Sequence, residues 1–78
     1  MDCKIIDQIA VISRNGNWSM ELNVVKWETH EPKYDLRRWN EDHSKCGKGI
    51  AFTETEAEVL LAALQGRLKP IEEWPGQI

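Results

Sequence analysis

Seventy-eight residues make one small domain, and a chain of that size buries only about 60–65% of its unfolded surface, so self-association is the expected support. Hydrophobic residues make up 41% and charged residues 29%, which excludes a disordered chain, and no apolar run approaches the ~20 residues that cross a bilayer. A net charge of −3 and a pI near 5.3 argue, as whole-chain sums, against a nucleic-acid partner.

Met1-Asp2-Cys3-Lys4 has no basic region ahead of a long apolar stretch, so no signal peptide is expected, and two thiols without an export signal point to the cytoplasm. Residues 4–13 are rich in β-branched side chains and predict a first strand. Asn15-Gly16-Asn17 is a hairpin turn signal, because Asn and Gly tolerate positive φ. Residues 18–27 alternate, with Met20, Leu22 and Val24 on one side and Glu21, Asn23, Val25 and Trp27 on the other. Pro32 closes a turn, residues 33–39 give a third strand, and 48–53 a short fourth through Ile50 and Phe52.

A helix follows. Thr53-Glu54-Thr55-Glu56 fits a capping box, and Ala57, Leu60, Leu61, Leu64 and Leu68 form one apolar stripe that Gly66 or Pro70 ends. The fold class expected is α+β: a four-stranded antiparallel meander and one helix, β-β-β-β-α. The domain occupies 1–69, with 70–78, including Trp74, as a tail. One helix covers one sheet face. If that is the face of Leu22, Val24 and Leu36, the open face carries Glu21, Asn23, Val25, Trp27, Asp35, Arg37 and Trp39.

Indoles and a guanidinium on an open sheet suit unpaired bases, which stack on aromatic rings at roughly 1–3 kcal/mol each while basic side chains hold phosphates. The plain alternative is that Trp27 and Trp39 are edge or interface residues. Glu21 and Asp35 on this face are expected to hold Arg37. His43 and Cys46 lie three residues apart, but with only His30 and Cys3 besides, a tetrahedral zinc site is not expected. A Cys–His nucleophile pair lacks an orienting group and a pocket, so no enzyme is expected.

Lys33-Tyr34-Asp35-Leu36-Arg37-Arg38-Trp39, a polar loop, Gly47-Lys48-Gly49-Ile50-Ala51-Phe52-Thr53 and an acidic-capped helix together resemble the positive cofactor four (PC-four) transcriptional coactivator family. Trp18-Ser19-Met20-Glu21-Leu22-Asn23 resembles a segment of its bacterial YdbC-type branch, and the likeness runs over roughly residues 4–68. The resemblance implies a homodimer whose helices, through Leu60, Leu61 and Leu64, pack at the two-fold axis. It also implies curved sheets that bind single-stranded DNA with little sequence preference. By position, Arg37 and Lys48 match the family's strand-three arginine and its Lys-Gly-Ile lysine, and Trp27 its second-strand aromatic. Trp39 falls within one residue of the strand-three aromatic; Lys26, Lys33 and Lys45 lie near basic positions; Trp18 is either a stacker or a packing residue. The regulatory arm of the eukaryotic coactivators is not matched, so their regulated role does not carry over.

The expectation is therefore a sequence-tolerant, non-enzymatic single-stranded DNA-binding homodimer, cytoplasmic and nucleoid-associated, without metal, cofactor, small-molecule substrate or membrane partner. It would act in transcription, replication, recombination or repair. Single-stranded RNA is open too, since stacking and phosphate contacts do not tell the sugars apart. The rival is a protein-interaction module that takes a peptide strand on the open face or a sheet edge. The charge sum does not oppose DNA once divided: residues 1–53 carry eight basic and eight acidic residues, and the whole −3 lies in 54–78.

Overall fold

The β-branched opening run forms a strand longer than expected, β1 (Cys3–Asn15), in a computed structural model that describes residues 2–69. It is followed by β2 (Trp18–Trp27), β3 (Lys33–Asn40), β4 (Cys46–Phe52) and one helix, α1 (Glu54–Gln65). Neighbouring strands pair antiparallel in the order β1-β2-β3-β4, the meander that the alternation predicts. Pro70 and Trp74 lie outside the described residues. No helix among those residues is long and apolar enough to cross a membrane.

The β1–β2 loop falls one residue later than an Asn-Gly turn would place it. Asn15 already pairs with Trp18, leaving Gly16 and Asn17 as the loop, and only Gly16 takes a positive φ, at 63°. Glycine at the first of two loop positions is what a type II′ turn asks for.

From Trp18↔Asn40 to Val25↔Lys33 the β2–β3 register is unbroken, so this pair is the regular spine of the sheet. β1 is not regular. Its register with β2 shifts between Ile5 and Asp7, between Gln8 and Ala10, and between Val11 and Ser13, so Ile6, Ile9 and Ile12 each fall at an interruption. Each bulge bends the strand and increases its twist. β4 slips as well: Gly49 lies opposite Arg37 but Cys46 opposite Trp39. Gly49 is held to its identity by space, since a Cβ there would stand 2.3 Å from both the Arg37 Cβ and the Leu36 carbonyl oxygen.

The expected division of residues between the two faces is found, but the burial is reversed. Ser19, Glu21, Asn23 and Val25 lie across from Trp39, Arg37, Asp35 and Lys33 on one face. Val25, Asn23 and Asp35 on that face are fully buried, and Trp39 is 1% exposed. Met20, Leu22, Val24 and Leu36, on the face expected to lie under the helix, are only half-buried. α1 has no buried residue, and its contacts with the sheet fall mainly on β3. The His43 loop covers Trp39 and Glu21 on that face, and the three interruptions in β1 bend the strand. Ala10 and Phe52 are the buried apolar residues of the opposite face.

The helix begins as its sequence dictates. Thr53 Oγ1 accepts from the Glu56 amide at 3.2 Å, and Glu56 Oε1 accepts from the Thr53 amide at 2.8 Å. This is a complete capping box. Gly66, with φ −69°, ends α1 by donating its amide to the Ala62 carbonyl at 3.0 Å. The apolar stripe stays in solvent: Val59 is 66% exposed, Leu61 56% and Leu68 59%.

Candidate nucleic-acid interface

The curled face is organised by two buried carboxylates, each with its own set of donors. Asp35 and Arg37 are two apart on β3 and so share this face. Asp35 Oδ1 accepts from Arg37 Nε at 2.6 Å and Oδ2 from Nη2 at 2.8 Å, a two-pronged pairing that fixes the guanidinium plane. Oδ2 also accepts from Trp27 Nε1 at 3.0 Å, which ties the end of β2 into the cluster. With both anchored to one carboxylate, the Arg37 guanidinium lies over the Trp27 ring, 4.5 Å from its centre. The hydrogen bonds to Asp35 raise the Arg37 pKa further, so its cation is permanent.

Glu21 gathers the second set. Its carboxylate accepts from Ser19 Oγ at 2.6 Å and from Asn23 Nδ2 at 3.2 Å, both on the same face of β2. It also meets His43 Nε2 at 2.9 and 3.0 Å, and since an ionised carboxylate only accepts, Nε2 is the donor. Burial works against the Glu21 charge, yet the hydrogen bonds from Ser19, His43 and Asn23 outweigh it and hold its pKa below the ordinary carboxylate value. His43 reaches this position from the loop between β3 and β4, where it adopts a left-handed φ of 59°. Asn40 closes that loop, its Oδ1 accepting from the Lys45 amide at 2.8 Å. The imidazole is tilted against Trp39, ring centres 5.6 Å apart. Beneath, Trp39 Nε1 and Asn23 Oδ1 are buried without a hydrogen-bond partner among the described residues.

The residues singled out from sequence fall into three groups. Trp27 and Arg37 are brought together, both half-buried at the open side of the cluster. Trp39 shares their face but sits under the His43 loop, and its 1% exposure corrects the expectation of an indole open to solvent. Lys33, Lys45 and Lys48 are exposed, as is Arg38. Lys26 alternates away from Trp27 to the other face and donates to the Glu28 carbonyl at 2.6 Å. Trp18, 38% exposed, stands at the hairpin end of β2.

The acidic pair also divides. Asp35 holds Arg37 as expected, whereas Glu21, although directly across from Arg37, holds His43 instead. His43, considered from sequence only as a metal or nucleophile partner of Cys46, is the residue whose role at Glu21 sequence reasoning missed. Its signal was indirect: Ser19, Glu21 and Asn23 on one side of a strand are a run of polar groups that needs partners if buried. No three His, Cys, Asp or Glu side chains gather as a metal site among the described residues. Burial raises the Cys3 thiol pKa, the opposite of what a nucleophilic cysteine needs.

The geometry defines a curled antiparallel sheet with an ordered polar floor and an indole–guanidinium stack at its open side. No family model matches the chain. An uncharacterized protein of Treponema pallidum (strain Nichols) is 44% identical over 50 residues, which cover 63% of this chain and 59% of that protein.

Proposed function

We propose that the protein binds single-stranded DNA along the curled face as a homodimer, with little sequence preference and without catalysis, where duplex is opened for transcription, replication, recombination or repair. The observation that carries this reading is the Trp27–Arg37–Asp35 cluster. A flat π surface is built at the open side of the face, and Asp35 fixes its orientation before any ligand arrives. Pre-ordering of this kind removes part of the entropy cost of stacking a base. Because Asp35 takes two of the five Arg37 donors and fixes the guanidinium plane, Arg37 serves as platform as much as phosphate ligand, and the exposed Lys33, Lys45 and Lys48 supply further cations. The bare stripe of Leu60, Leu61 and Leu64 supports the dimer, since a second copy would remove it from water.

Titration of the intrinsic Trp fluorescence with oligo-dT, and with a duplex of equal length, tests this. The single strand quenches preferentially, and binding weakens with log salt at a slope of about −0.7 per phosphate contacted. Arg37→Ala abolishes the quench. Absence of any response to either ligand overturns the reading, and a salt-independent response to an extended peptide establishes the interaction-module alternative in its place.

A further inference from the structure

At the hairpin end of the curled face, Gln8, Arg14, Ser19, Glu21, Glu41 and His43 border a cavity of about 290 Å³. Glu21 lies six residues before Trp27 on the same face of β2 and directly across from Arg37, so the cavity neighbours the Arg37 side of the Trp27 platform. Its volume is at the small end of ligand sites, the scale of one flat heterocycle rather than an extended chain.

The polar groups of the cavity are of two kinds. Ser19, Glu21 and His43 are committed to one another. Arg14 and Glu41 are not: neither side chain has a hydrogen-bond or ion-pair partner among the described residues, and both are exposed. The cavity therefore offers one uncommitted guanidinium and one uncommitted carboxylate above a closed floor. An uncommitted carboxylate alongside the guanidinium disfavours a phosphate, and together they offer a base both an acceptor and a donor.

Guanine fits that pair of groups. It presents O6 and N7 as adjacent acceptors, which arginine reads with two donors. On its Watson–Crick edge it presents N1–H and the N2 amino group side by side, two donors for one carboxylate. Adenine and cytosine place a ring acceptor beside their amino group, where it meets the carboxylate unfavourably, and thymine has a single N–H between two carbonyls.

We propose that this cavity is a guanine subsite, in which single-stranded DNA bound along the face inserts one unstacked guanine, Arg14 donating to O6 and N7 and Glu41 accepting from N1–H and N2–H. The proposal rests on the single-stranded DNA reading and sharpens it: binding is sequence-tolerant at the Trp27 platform and selective at one position beyond it.

Competition between oligo-dT and the same oligomer carrying one central dG, measured on the full chain, tests it. The dG oligomer binds roughly tenfold tighter, the discrimination of about one well-made bidentate contact. Deoxyinosine, which lacks the N2 amino group, and 7-deazaguanine, which lacks N7, each lose part of the gain. Glu41→Gln and Arg14→Gln abolish the preference while leaving oligo-dT affinity within about twofold. Equal binding of the dG and dT oligomers, or a preference that survives Glu41→Gln, overturns the subsite and leaves the platform standing. Failure of both oligomers to bind overturns the DNA reading, and the subsite with it.

Discussion

The curled sheet face and helix α1 reverse the usual distribution of polar and apolar groups. Inside the curl, Glu21, Asn23 and Asp35 are buried beside Val25 and Trp39, while on the helix Val59, Leu60, Leu61 and Leu64, and Leu68 just past it, all stand in water. The contrast teaches that the two regions are held by different physics. Asp35 and Glu21 are satisfied within the protomer by short, directional bonds. The helix has local caps but no apolar cover among the described residues, and the proposed second copy would supply that cover by removing the stripe from water.

Four measurements would break or sharpen that contrast. The largest effect is expected at Asp35→Ala, which strips the Arg37 guanidinium of its counter-ion and Trp27 Nε1 of its acceptor. Losing one partner of a buried pair costs about 3–5 kcal/mol, readable in urea unfolding. A loss below about 1 kcal/mol would show that the polar floor does not hold the face together. Gly49→Ala comes next, at about 1–3 kcal/mol, because the new methyl meets a neighbouring backbone carbonyl that cannot swing aside.

Leu61→Glu separates the two regions. If the helix works as a bare surface, the substitution changes stability by no more than about 0.5 kcal/mol. If a second copy covers it, sedimentation shows a monomer and about 2 kcal/mol of burial is lost. The expected outcome is the second, with the Trp27 and Arg37 contacts in each protomer intact.

The smallest effect concerns pH. The folded-state pKa of Glu21 lies below its unfolded value, so the stability it contributes is complete above the unfolded carboxylate pKa and is lost as pH falls through the lower, folded one. The urea midpoint of the wild-type chain should therefore fall more steeply between pH 5 and 3, roughly, than that of Glu21→Gln. Parallel slopes would mean that the hydrogen bonds from Ser19, Asn23 and His43 do not favour the charged form.

Much of this architecture is legible in the residues themselves. Period-two alternation in 18–27 and 33–39 puts the right side chains on common faces, because pleating leaves them no other choice. Thr53 and Glu56 mark the helix start for an equally local reason. What the residues do not disclose is which face is inside. That depends on curvature, and Ile6, Ile9 and Ile12 read as part of one smooth β-branched run although each marks a break in register. The place of Trp39 is hidden for a related reason. Its cover is a histidine from a polar loop, set by a left-handed φ that nothing in Asp42-His43-Ser44 announces. Arg37 was legible as a residue of the face; that Asp35 would claim two of its three guanidinium nitrogens was legible only as an i, i+2 possibility.

The interruptions in β1 reach beyond the shape of one protomer. β1 and β4 are the outer strands, and an outer strand is a template on which stray chains can polymerise into fibrils. A row of amides and carbonyls broken at Ile6, Ile9 and Ile12 gives an incoming strand no run long enough to zip along, and the slip beside Gly47 and Lys48 disrupts the opposite rim. The same kinks that curl the sheet thus act as a safeguard against aggregation, at the very isoleucines whose side chains would otherwise invite it.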